Sequence, residues 1–520
     1  DAAGRLTQLA RADSTSIFWS LDGNDNVLSL TPPGRSAHQF SYTNSNLLQT
    51  STPPAVDGAA IGLTSYAYTP DLNLQNIERS DGRRIAFGYA ATTGLLATET
   101  LGSATLSFGY DASGKLTSIN RSDGVKVTQS FDGPLWTGTS WSGAIKGSIS
   151  ADYDENFWLA SITVNNASTV GFTYDNDGLL VGATDGTSAM TSTRDATTGL
   201  VSGTALGSVT TTQANNPFGE TTTLSTAISG SPAFSQTLTR DPLGRVTHIS
   251  EALGTTSHET DYTYDAVGRL TEVKSDGVVT NYTYDANGNR TMVTVGGVQA
   301  DVGSYDDQDR VVSYAGASYM FSAHGDLQTK TSSTGALSLT YDELGNLIKA
   351  GVTNSSGSTK TISYVVDGFG RRVARQINGN FDRSWLYRDS LRPVSEVDGA
   401  GIFSHYVYLS DDSAPDFMLR SGVPYRFIKD HIGSVRLVVN AQTGAVAQAI
   451  EYDAFGVVLS DTSPGFQPFG FAGGLYDATT GLVRFGARDY DPSMGRWTNK
   501  DPIGFAGGDT NVYAYAASDP

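Results

Sequence analysis

The amino-acid sequence predicts an all-β protein in which many short hairpins join into one continuous sheet. Three observations lead to this fold class. A turn motif, Tyr-Asp-x-x-Gly-Arg, recurs along the chain, and the segments between its copies alternate between polar and apolar residues. Helix signals are almost absent, because glycine supplies 58 of 520 residues and no window keeps apolar residues at helical spacing. Since a single hairpin is only marginally stable in water, the hairpins must pair with one another and bury one face of the resulting sheet.

The plainest copies of the motif are "YDAVGRL" at Tyr264–Leu270 and "YDANGNR" at Tyr284–Arg290. Aspartate at the first position of a turn and glycine at the fourth are typical of a type I turn that closes a hairpin with a bulge. Two strands of about six residues and two turns fit a repeat of about 21 residues. The motif predicts one aromatic ring at the same place in every unit, stacked along the array. Earlier aromatic residues at that spacing are Tyr68, Tyr89, Tyr110, Phe131, Tyr153 and Tyr174.

The composition restricts both the architecture and the partners. Charged residues make up 17% and hydrophobic residues 38% of the chain, and both fractions are low for a solid globular protein of this mass. A sheet that wraps around an internal space explains this composition, since much of its inner face need not be packed core. The net charge of -19 argues against a nucleic-acid partner, because phosphate recognition needs clustered lysine and arginine. The chain has no cysteine, which excludes disulfides and cysteine-ligated zinc.

The termini carry no targeting signal. No run approaches the roughly 18 to 20 apolar residues of a membrane-spanning helix, so no membrane span is expected. The first ten residues, "DAAGRLTQLA", lack the basic and apolar regions of a signal peptide and instead match the second half of the turn motif. Both ends therefore look cut from inside a longer polypeptide.

The repeats, together with the C-terminal fifth of the chain, resemble the Rhs, or YD-repeat, family. The stretches Tyr425–Leu459 and Gly470–Pro520, which include "GLVRFGARDYDPSMGRWTNKDPIGFAGG", are similar to the Rhs-associated core domain almost phrase by phrase. The resemblance implies that residues 1–424 form a spiral shell around a hollow cocoon. It also implies that residues 425–520 form a core domain that closes the cocoon.

The resemblance implies a container function. Family members include bacterial polymorphic toxins, Tc insecticidal complexes and type VI effectors, in which a C-terminal toxin domain is encapsulated and then severed by an aspartyl-type autoproteolysis of the core. The expected partners are the protein's own toxin domain as cargo and a delivery apparatus or Tc-type component. The expected location is outside, or delivered from, a bacterial cell. Animal teneurins share the shell, so the alternative is an adhesion module that recognises a receptor or a glycan.

The candidate catalytic residue is Asp501, which begins the segment Asp501-Pro-Ile-Gly504. This segment matches the first Asp-Pro-x-Gly of the family, and the second, with the scissile bond, is expected beyond Pro520. Two carboxylates are needed to share a proton and activate water, so the chain alone is expected to be inactive. Arg496 is a candidate supporting residue that could orient the cleavage segment or pair with Asp501; otherwise it belongs to an ordinary Gly-Arg turn. Two features depart from the family pattern. The family usually has leucine where this chain has Phe505, and a shorter "GGxN" where this chain has "GGDTN".

Other chemistries fit the sequence less well. Asp285-Ala-Asn-Gly-Asn289 begins like an EF-hand loop, but its sixth and twelfth positions are arginine and glycine, so the turn interpretation is preferred. The six histidines show no paired metal spacing, and no cofactor or metal is predicted. Exposed aromatics at Trp136 and Trp141 would favour the adhesion alternative, although packing of a loop also explains them.

Overall fold

The structure is a computed structural model that describes residues 1–56 and 62–519. These residues contain 47 β-strands and three short 3-10 helices, Phe471–Gly473, Gly504–Gly507 and Ala516–Ser518. Among the described residues, no helix has the length and apolar character needed to cross a membrane. The all-β prediction is confirmed.

The first 23 strands run from the N-terminus to residue 253. They are β1 (Gln8–Ala10), β2 (Ser16–Leu21), β3 (Val27–Thr31), β4 (His38–Tyr42), β5 (Leu48–Thr52), β6 (Thr64–Tyr68), β7 (Leu74–Arg79), β8 (Arg84–Tyr89), β9 (Leu96–Leu101), β10 (Ala104–Tyr110), β11 (Leu116–Arg121), β12 (Val125–Asp132), β13 (Leu135–Gly143), β14 (Gly147–Tyr153), β15 (Leu159–Val164), β16 (Ser168–Tyr174), β17 (Leu180–Thr184), β18 (Ala189–Arg194), β19 (Val201–Leu206), β20 (Val209–Asn215), β21 (Thr221–Ile228), β22 (Ser231–Arg240) and β23 (Val246–Leu253).

The remaining strands continue to residue 497. They are β24 (Thr256–Tyr264), β25 (Leu270–Ser275), β26 (Val278–Tyr284), β27 (Arg290–Val295), β28 (Val298–Tyr305), β29 (Val311–Tyr314), β30 (Ala317–Phe321), β31 (Leu327–Ser332), β32 (Gly335–Tyr341), β33 (Leu347–Asn354), β34 (Thr359–Val366), β35 (Arg372–Ile377), β36 (Asn380–Tyr387), β37 (Pro393–Asp398), β38 (Phe403–Val407), β39 (Phe417–Arg420), β40 (Val423–Lys429), β41 (Val435–Asn440), β42 (Val446–Tyr452), β43 (Val458–Asp461), β44 (Leu475–Asp477), β45 (Leu482–Phe485), β46 (Arg488–Asp491) and β47 (Arg496–Trp497).

Strands β1 to β43 form one antiparallel sheet in which each strand pairs with the next strand along the chain. Strands β44 to β47 form a separate four-stranded sheet. The large sheet passes residue 424 without a break, because β40 pairs with both β39 and β41. The division into 1–424 and 425–520 stays a prediction based on the family resemblance.

The turn motif forms the hairpin that its residue types predict. In the copy at residues 264–269, the Asp265 Oδ1 accepts the backbone N–H groups of Val267 and Arg269 at 3.0 and 2.9 Å. Gly268 has a φ of 95°, which glycine adopts without steric cost. The pairing register shifts between Thr263 and Tyr264, which is the predicted bulge.

The motif tyrosines do recur at one position, and a hydrogen bond links most of them to the preceding unit. The Tyr284 hydroxyl donates to the Leu270 carbonyl at 2.6 Å, and the Tyr264 hydroxyl donates to the Val246 carbonyl at 2.7 Å. The same bond recurs for Tyr68, Tyr89, Tyr110, Tyr153, Tyr174, Tyr305, Tyr387, Tyr408 and Tyr452. These bonds tie each hairpin to the adjacent strand of the preceding hairpin.

The sheet winds into a spiral, because residues more than 200 positions apart lie in contact at regular intervals. The Arg83 Nη2 donates to the Asp326 Oδ2 at 2.8 Å, and the Ser208 N–H donates to the Ala441 carbonyl at 2.7 Å. We call β1 to β23 the first winding and β24 to β43 the second winding. The turns between units of the first winding, here called return turns, meet the motif turns of the second winding. We call this line of contact the seam.

The C-terminal segment, residues 462–519, packs against the second winding. Phe469 contacts Tyr406 and Phe427 with ring centroids 4.9 and 5.9 Å apart. Buried ion pairs fix the small sheet, including Arg372 with Asp489 at 2.9 Å. The core therefore combines both windings, including Trp141 and Val164 of the first, with the C-terminal segment.

Candidate functional site

Asp501 begins the C-terminal loop that follows the small sheet. Its backbone N–H donates to the Val512 carbonyl and its carbonyl accepts the Gly504 N–H, both at 2.9 Å, so the loop folds back on itself. Its Oδ1 accepts the Ile503 N–H at 3.0 Å, as is typical of an aspartate that opens a turn. Its Oδ2 lies 2.9 Å from the Arg488 Nη1, and 21% of the side chain is exposed. The carboxylate is thus held in a defined orientation and remains accessible to water.

Arg488 is a residue of this site that the sequence reasoning missed. It is the first residue of β46, and its guanidinium lies 4.0 Å from the centroid of the Trp497 ring. Burial lowers the pKa of Arg488, while the negative charge of Asp501 acts in the opposite direction. No local pattern could have identified this arginine, because its position beside Asp501 depends on the hairpin β45–β46 and on the return of the chain after β47.

Arg496 lies on the other side of the loop and joins the C-terminal segment to the second winding. Its Nη1 donates to the Asn289 Oδ1 at 3.0 Å, and its Nη2 donates to the Asp309 carbonyl at 2.6 Å. Its guanidinium also lies 4.9 Å from the Tyr305 ring and 5.2 Å from the Tyr513 ring. The arginine that pairs with Asp501 is Arg488, so a role for Arg496 would lie in positioning the segment.

A junction around Asp309 connects three parts of the chain. The Arg35 Nε of the first winding donates to the Asp309 Oδ1 at 2.7 Å. From the neighbouring motif turn, Asn287 and Asn289 each donate an amide N–H to the Asp309 carboxylate at 2.7 Å. Asp309 is 3% exposed, and its burial raises the pKa of its carboxyl group while Arg35 lowers it. The first winding, the second winding and Arg496 are therefore held by one buried network.

The segment "DTN", which made the loop longer than the family pattern, is anchored to the same motif turn. The Thr510 hydroxyl donates to the Asn287 Oδ1 at 2.6 Å, and the Asn511 side-chain amide donates to the Asn289 Oδ1 at 2.9 Å. The residues Asp285-Asn287-Asn289 that begin like a calcium loop thus serve a turn and this anchor. Asp285 itself caps the turn and forms an ion pair with Arg35.

The other departure from the family pattern, Phe505, contacts the first winding. Its ring meets the ring of His38 edge-on, with the centroids 4.8 Å apart. Burial, together with the positive charge of Lys500, lowers the pKa of His38 to about 4. Burial also lowers the pKa of Lys500 to about 8. At neutral pH His38 is therefore uncharged.

The two tryptophans that bear on the adhesion alternative are packed into the protein. Trp141 is 3% exposed, and its Nε1 donates to the Asp367 Oδ2 across the seam at 3.3 Å. Trp136 is partly buried against the same core, with its Nε1 donating to the Thr139 hydroxyl at 2.9 Å. The packing interpretation of these residues is confirmed.

Three comparisons place these features among known proteins. The family model described as Teneurin YD-shell matches residues 2–520. Human teneurin-4 is 31% identical over 275 residues, which cover 51% of this chain and 10% of teneurin-4. Double-stranded DNA deaminase toxin A of Burkholderia cenocepacia strain H111 is 31% identical over 247 residues, which cover 41% of this chain and 17% of the toxin. The chain thus spans a small part of the length of these curated relatives.

Solved structures show the same fold at low sequence identity. The crystal structure of TcdB2-TccC3-TEV has a TM-score of 0.65 and 16% identity, and the match covers 97% of this chain and 28% of that chain. The Tc holotoxin pore of Photorhabdus luminescens, with a TccC3-D651A mutation, has a TM-score of 0.53 and 14% identity, covering 98% and 33%. The spiral sheet of this protein is therefore the architecture of those shells.

Proposed function

The chain belongs to the teneurin YD-shell family, and from that premise we propose that it is the wall and closing segment of a hollow container for a toxin. In this proposal the toxin domain follows the C-terminal segment, lies inside the shell, and is released by an aspartyl-type self-cleavage that uses Asp501. The observation that carries the proposal is a continuous two-winding sheet to which the C-terminal segment is fixed by buried networks.

The dimensions of the spiral support an enclosed space. The contact between Arg83 and Asp326 joins the ends of β7–β8 to those of β30–β31, so one winding contains about 23 strands at roughly 4.8 Å each. The circumference is then about 110 Å and the diameter about 35 Å. A single sheet about 10 Å thick leaves space for a polypeptide inside such a ring.

The contacts of the C-terminal segment support its role as a closure. It meets five successive motif turns of the second winding, through Asn289, Asp309, Gly325, Gly345 and Gly370. The segment is therefore held along a line of turns and not at one point. A chain that leaves this segment starts from a fixed position, as orientation of a scissile bond requires.

The chemistry proposed for Asp501 is that of a carboxylate pair. Asp501 accepts a proton from a water molecule, and a second carboxyl group, expected beyond Pro520, protonates the amine that leaves. The water oxygen attacks the peptide carbonyl, so the cleaved bond ends as a carboxylate and an amine. Arg488 places a positive charge 2.9 Å from the Asp501 Oδ2 and fixes its orientation. Arg496 positions the segment from the opposite side.

The experiment is an intact-mass analysis of the polypeptide expressed from the complete gene. Wild type is expected to separate into a long shell and a smaller C-terminal piece, while Asp501→Asn stays whole. The chain offers a matched control, because Asp241-Pro-Leu-Gly244 is another Asp-Pro-x-Gly segment, located in an ordinary motif turn. Asp241→Asn is expected to cleave like wild type.

Variants of the arginines refine the assignment. Arg488→Ala and Arg496→Ala are both expected to slow cleavage at least tenfold, the first by releasing the Asp501 carboxylate and the second by loosening the segment. If wild type and Asp501→Asn both stay whole, the cleavage assignment fails. The adhesion alternative, supported by the identity to teneurin-4, is then tested by binding of the purified chain to a glycan array and to cell surfaces.

The relatives also support a proposal about location. A bacterial toxin shares 31% identity with this chain, and the structures of similar fold are Tc toxin assemblies. We propose that the protein is delivered from a bacterial cell, with a Tc-type component or a secretion apparatus as partner. Recovery of the C-terminal piece in recipient cells, compared with the Asp501→Asn variant, tests this proposal.

A further inference from the structure

A cavity of about 570 Å³, which Asp501 does not line, lies where the last strands of the first winding and the first strands of the second winding face β40 to β42. Strands β22 to β25 line one side, and the turns and strands of β40 to β42 line the other. Three tyrosines, Tyr262, Tyr264 and Tyr452, form aromatic walls. The hydroxyls of Tyr264 and Tyr452 donate to backbone carbonyls, so their rings have fixed positions.

The carboxylates of the cavity outnumber the cations that could neutralise them. Asp430, Glu451, Asp453 and Asp519 all line it, and the described residues form no ion pair with any of the four. The arginines that line the cavity are paired with other carboxylates, of which only Glu251 lines the cavity. Their ion pairs are Arg436 with Glu251 at 2.6 Å, Arg245 with Asp241 at 2.6 Å and Arg240 with Glu220 at 3.9 Å.

Asp430 is the carboxylate best placed to meet a ligand. Its Oδ1 accepts the N–H groups of Ile432 and Ser434 at 3.2 and 2.8 Å, which fixes the side chain in the turn after β40. Burial raises the pKa of Asp430 to about 6, although Arg436 lowers it. Beside it, the His431 Nδ1 is buried and has no hydrogen-bond partner in the structure. The site thus combines an aromatic wall, a half-buried carboxyl group and a ring nitrogen without a hydrogen-bond partner among the described residues.

A neighbouring cavity of about 480 Å³ shares Asp430 and His431 with the larger one, but its other carboxylates are paired. Its Asp416 is neutralised by Lys429 at 3.1 Å and by Arg426 at 3.5 Å, and its Asp412 lies 2.6 Å from the Lys429 Nζ. These cations lower the pKa of the buried Asp416 carboxyl group. In this cavity Asp412 and Asp416 have cation partners from the protein itself, whereas in the larger cavity the described residues form no ion pair with Asp430, Glu451, Asp453 or Asp519.

We propose that the larger cavity binds the basic side chain of a lysine or arginine from a polypeptide that lies inside the shell. The inference rests on the container function and names the chemical class of segment that the wall holds. A guanidinium or ammonium group would pair with Asp430 and Glu451 and lie against the tyrosine rings, which attract cations. Within the cavity the Arg245 guanidinium already lies 4.7 Å from the Tyr264 ring, so the rings offered to a ligand cation are those of Tyr262 and Tyr452.

The test uses the 520-residue chain and a small probe, so it does not depend on cargo or on cleavage. The probe is acetyl-Gly-Arg-Gly-amide, titrated by ligand-observed NMR, with acetyl-Gly-citrulline-Gly-amide as the uncharged isostere. We expect saturable binding of the arginine probe, and binding of the citrulline probe at least tenfold weaker. Since Asp430 ionises near pH 6, the affinity should fall about tenfold from pH 7 to pH 5.

Variants locate the binding site. Asp430→Asn should weaken binding about tenfold at pH 7 and remove most of the pH dependence, and Glu451→Gln should weaken it severalfold. Asp412→Asn, in the neighbouring cavity, should bind like wild type. Thermal melts verify that each variant is folded. If Asp430→Asn is unfolded, the binding affinity of Glu451→Gln for the arginine probe decides whether the cavity is the binding site.

Two results would overturn the inference. One is equal affinity for the arginine and citrulline probes, and the other is unchanged affinity in the folded cavity variants. Neither affects the container proposal, which the mass analysis of Asp501→Asn tests separately.

Discussion

Two copies of the same turn, one at the edge of the first winding and one at the seam, differ in their surroundings and not in their local geometry. In both turns the aspartate Oδ1 accepts two backbone N–H groups, and the arginine four residues later lies 2.6 Å from the aspartate Oδ2. The pair Arg245–Asp241 has side chains 25% and 17% exposed, whereas the pair Arg371–Asp367 has 6% and 0%.

The comparison separates the hydrogen bonds that a turn motif makes within itself from the contacts that it gains when the spiral brings another winding against it. Asp367 also accepts the Nε1–H of Trp141, which belongs to the first winding. Exposed ion pairs contribute little to stability, but removing one partner of a buried pair leaves an uncompensated charge. Each copy of the motif therefore forms the same hairpin. The contribution of its ion pair to the free energy of unfolding depends on whether another winding covers the turn.

The largest effect is expected when the seam turn loses its carboxylate. Asp367→Ala leaves the Arg371 guanidinium and the Trp141 indole without their acceptor, so the free energy of unfolding should fall by about 3 to 5 kcal/mol. Urea denaturation measures this change. Asp241→Ala is the matched control, and its loss should be clearly smaller. Equal losses in the two variants would contradict the difference drawn between the edge and the seam.

The next effect is a loss of stability in acid that originates at the seam. His405 is 2% exposed, its Nδ1 lies 2.8 Å from the Ser168 hydroxyl, and burial lowers its pKa to about 4. Its folded pKa lies below the unfolded value, so its contribution is complete above pH 6.5 and is lost as the pH falls toward 4. The loss amounts to about 3 kcal/mol.

The variant His405→Asn isolates this contribution, because it cannot take up the proton. Urea unfolding at pH 7 and pH 4 should show a smaller loss of stability in the variant than in wild type. The comparison within each pH cancels the other titrating groups, including Asp430, whose raised pKa of about 6 acts in the opposite direction. Parallel losses in both proteins would exclude His405 as the acid-sensitive group.

A smaller effect is expected from close approach of the windings at one glycine. Gly207 and Gly254 both lie in two-residue return turns with φ of 55° and 60°. An added Cβ at Gly207 would overlap the Ala441 carbonyl of the second winding, whereas a Cβ at Gly254 would meet nothing within 4 Å. Gly207→Ala should therefore lose about 1 to 3 kcal/mol more than Gly254→Ala. The same loss in both would show that only backbone strain matters.

Much of the fold could be predicted from the sequence because the repeat is local. The strand pairs, the bulge before each motif turn and the recurring tyrosine all follow from residues within about one repeat of one another. The spiral and the closing segment were expected from the family resemblance and not from the repeat itself. Ring stacking was the expected role of the tyrosines, and the hydrogen bond from the Tyr284 hydroxyl to the Leu270 carbonyl shows what links the units.

The candidate site was less predictable because its partners are distant in sequence. Asp501 was found from its motif, but its ion pair with Arg488 depends on the folding of the small sheet. Arg496 contacts residues about 200 positions earlier, and Phe505 contacts His38. Such contacts come from the way the C-terminal segment packs against the two windings, which no single repeat specifies.

The most direct test of the account is protection of the cargo inside the shell. The polypeptide from the complete gene, carrying Asp501→Asn so that it stays whole, is treated with a protease under native conditions, and the surviving fragments are identified by mass spectrometry. The account predicts that the region after residue 520 survives a dose that degrades the same region expressed alone. Degradation of that region at the same rate in both preparations would contradict the claim that this chain is a container.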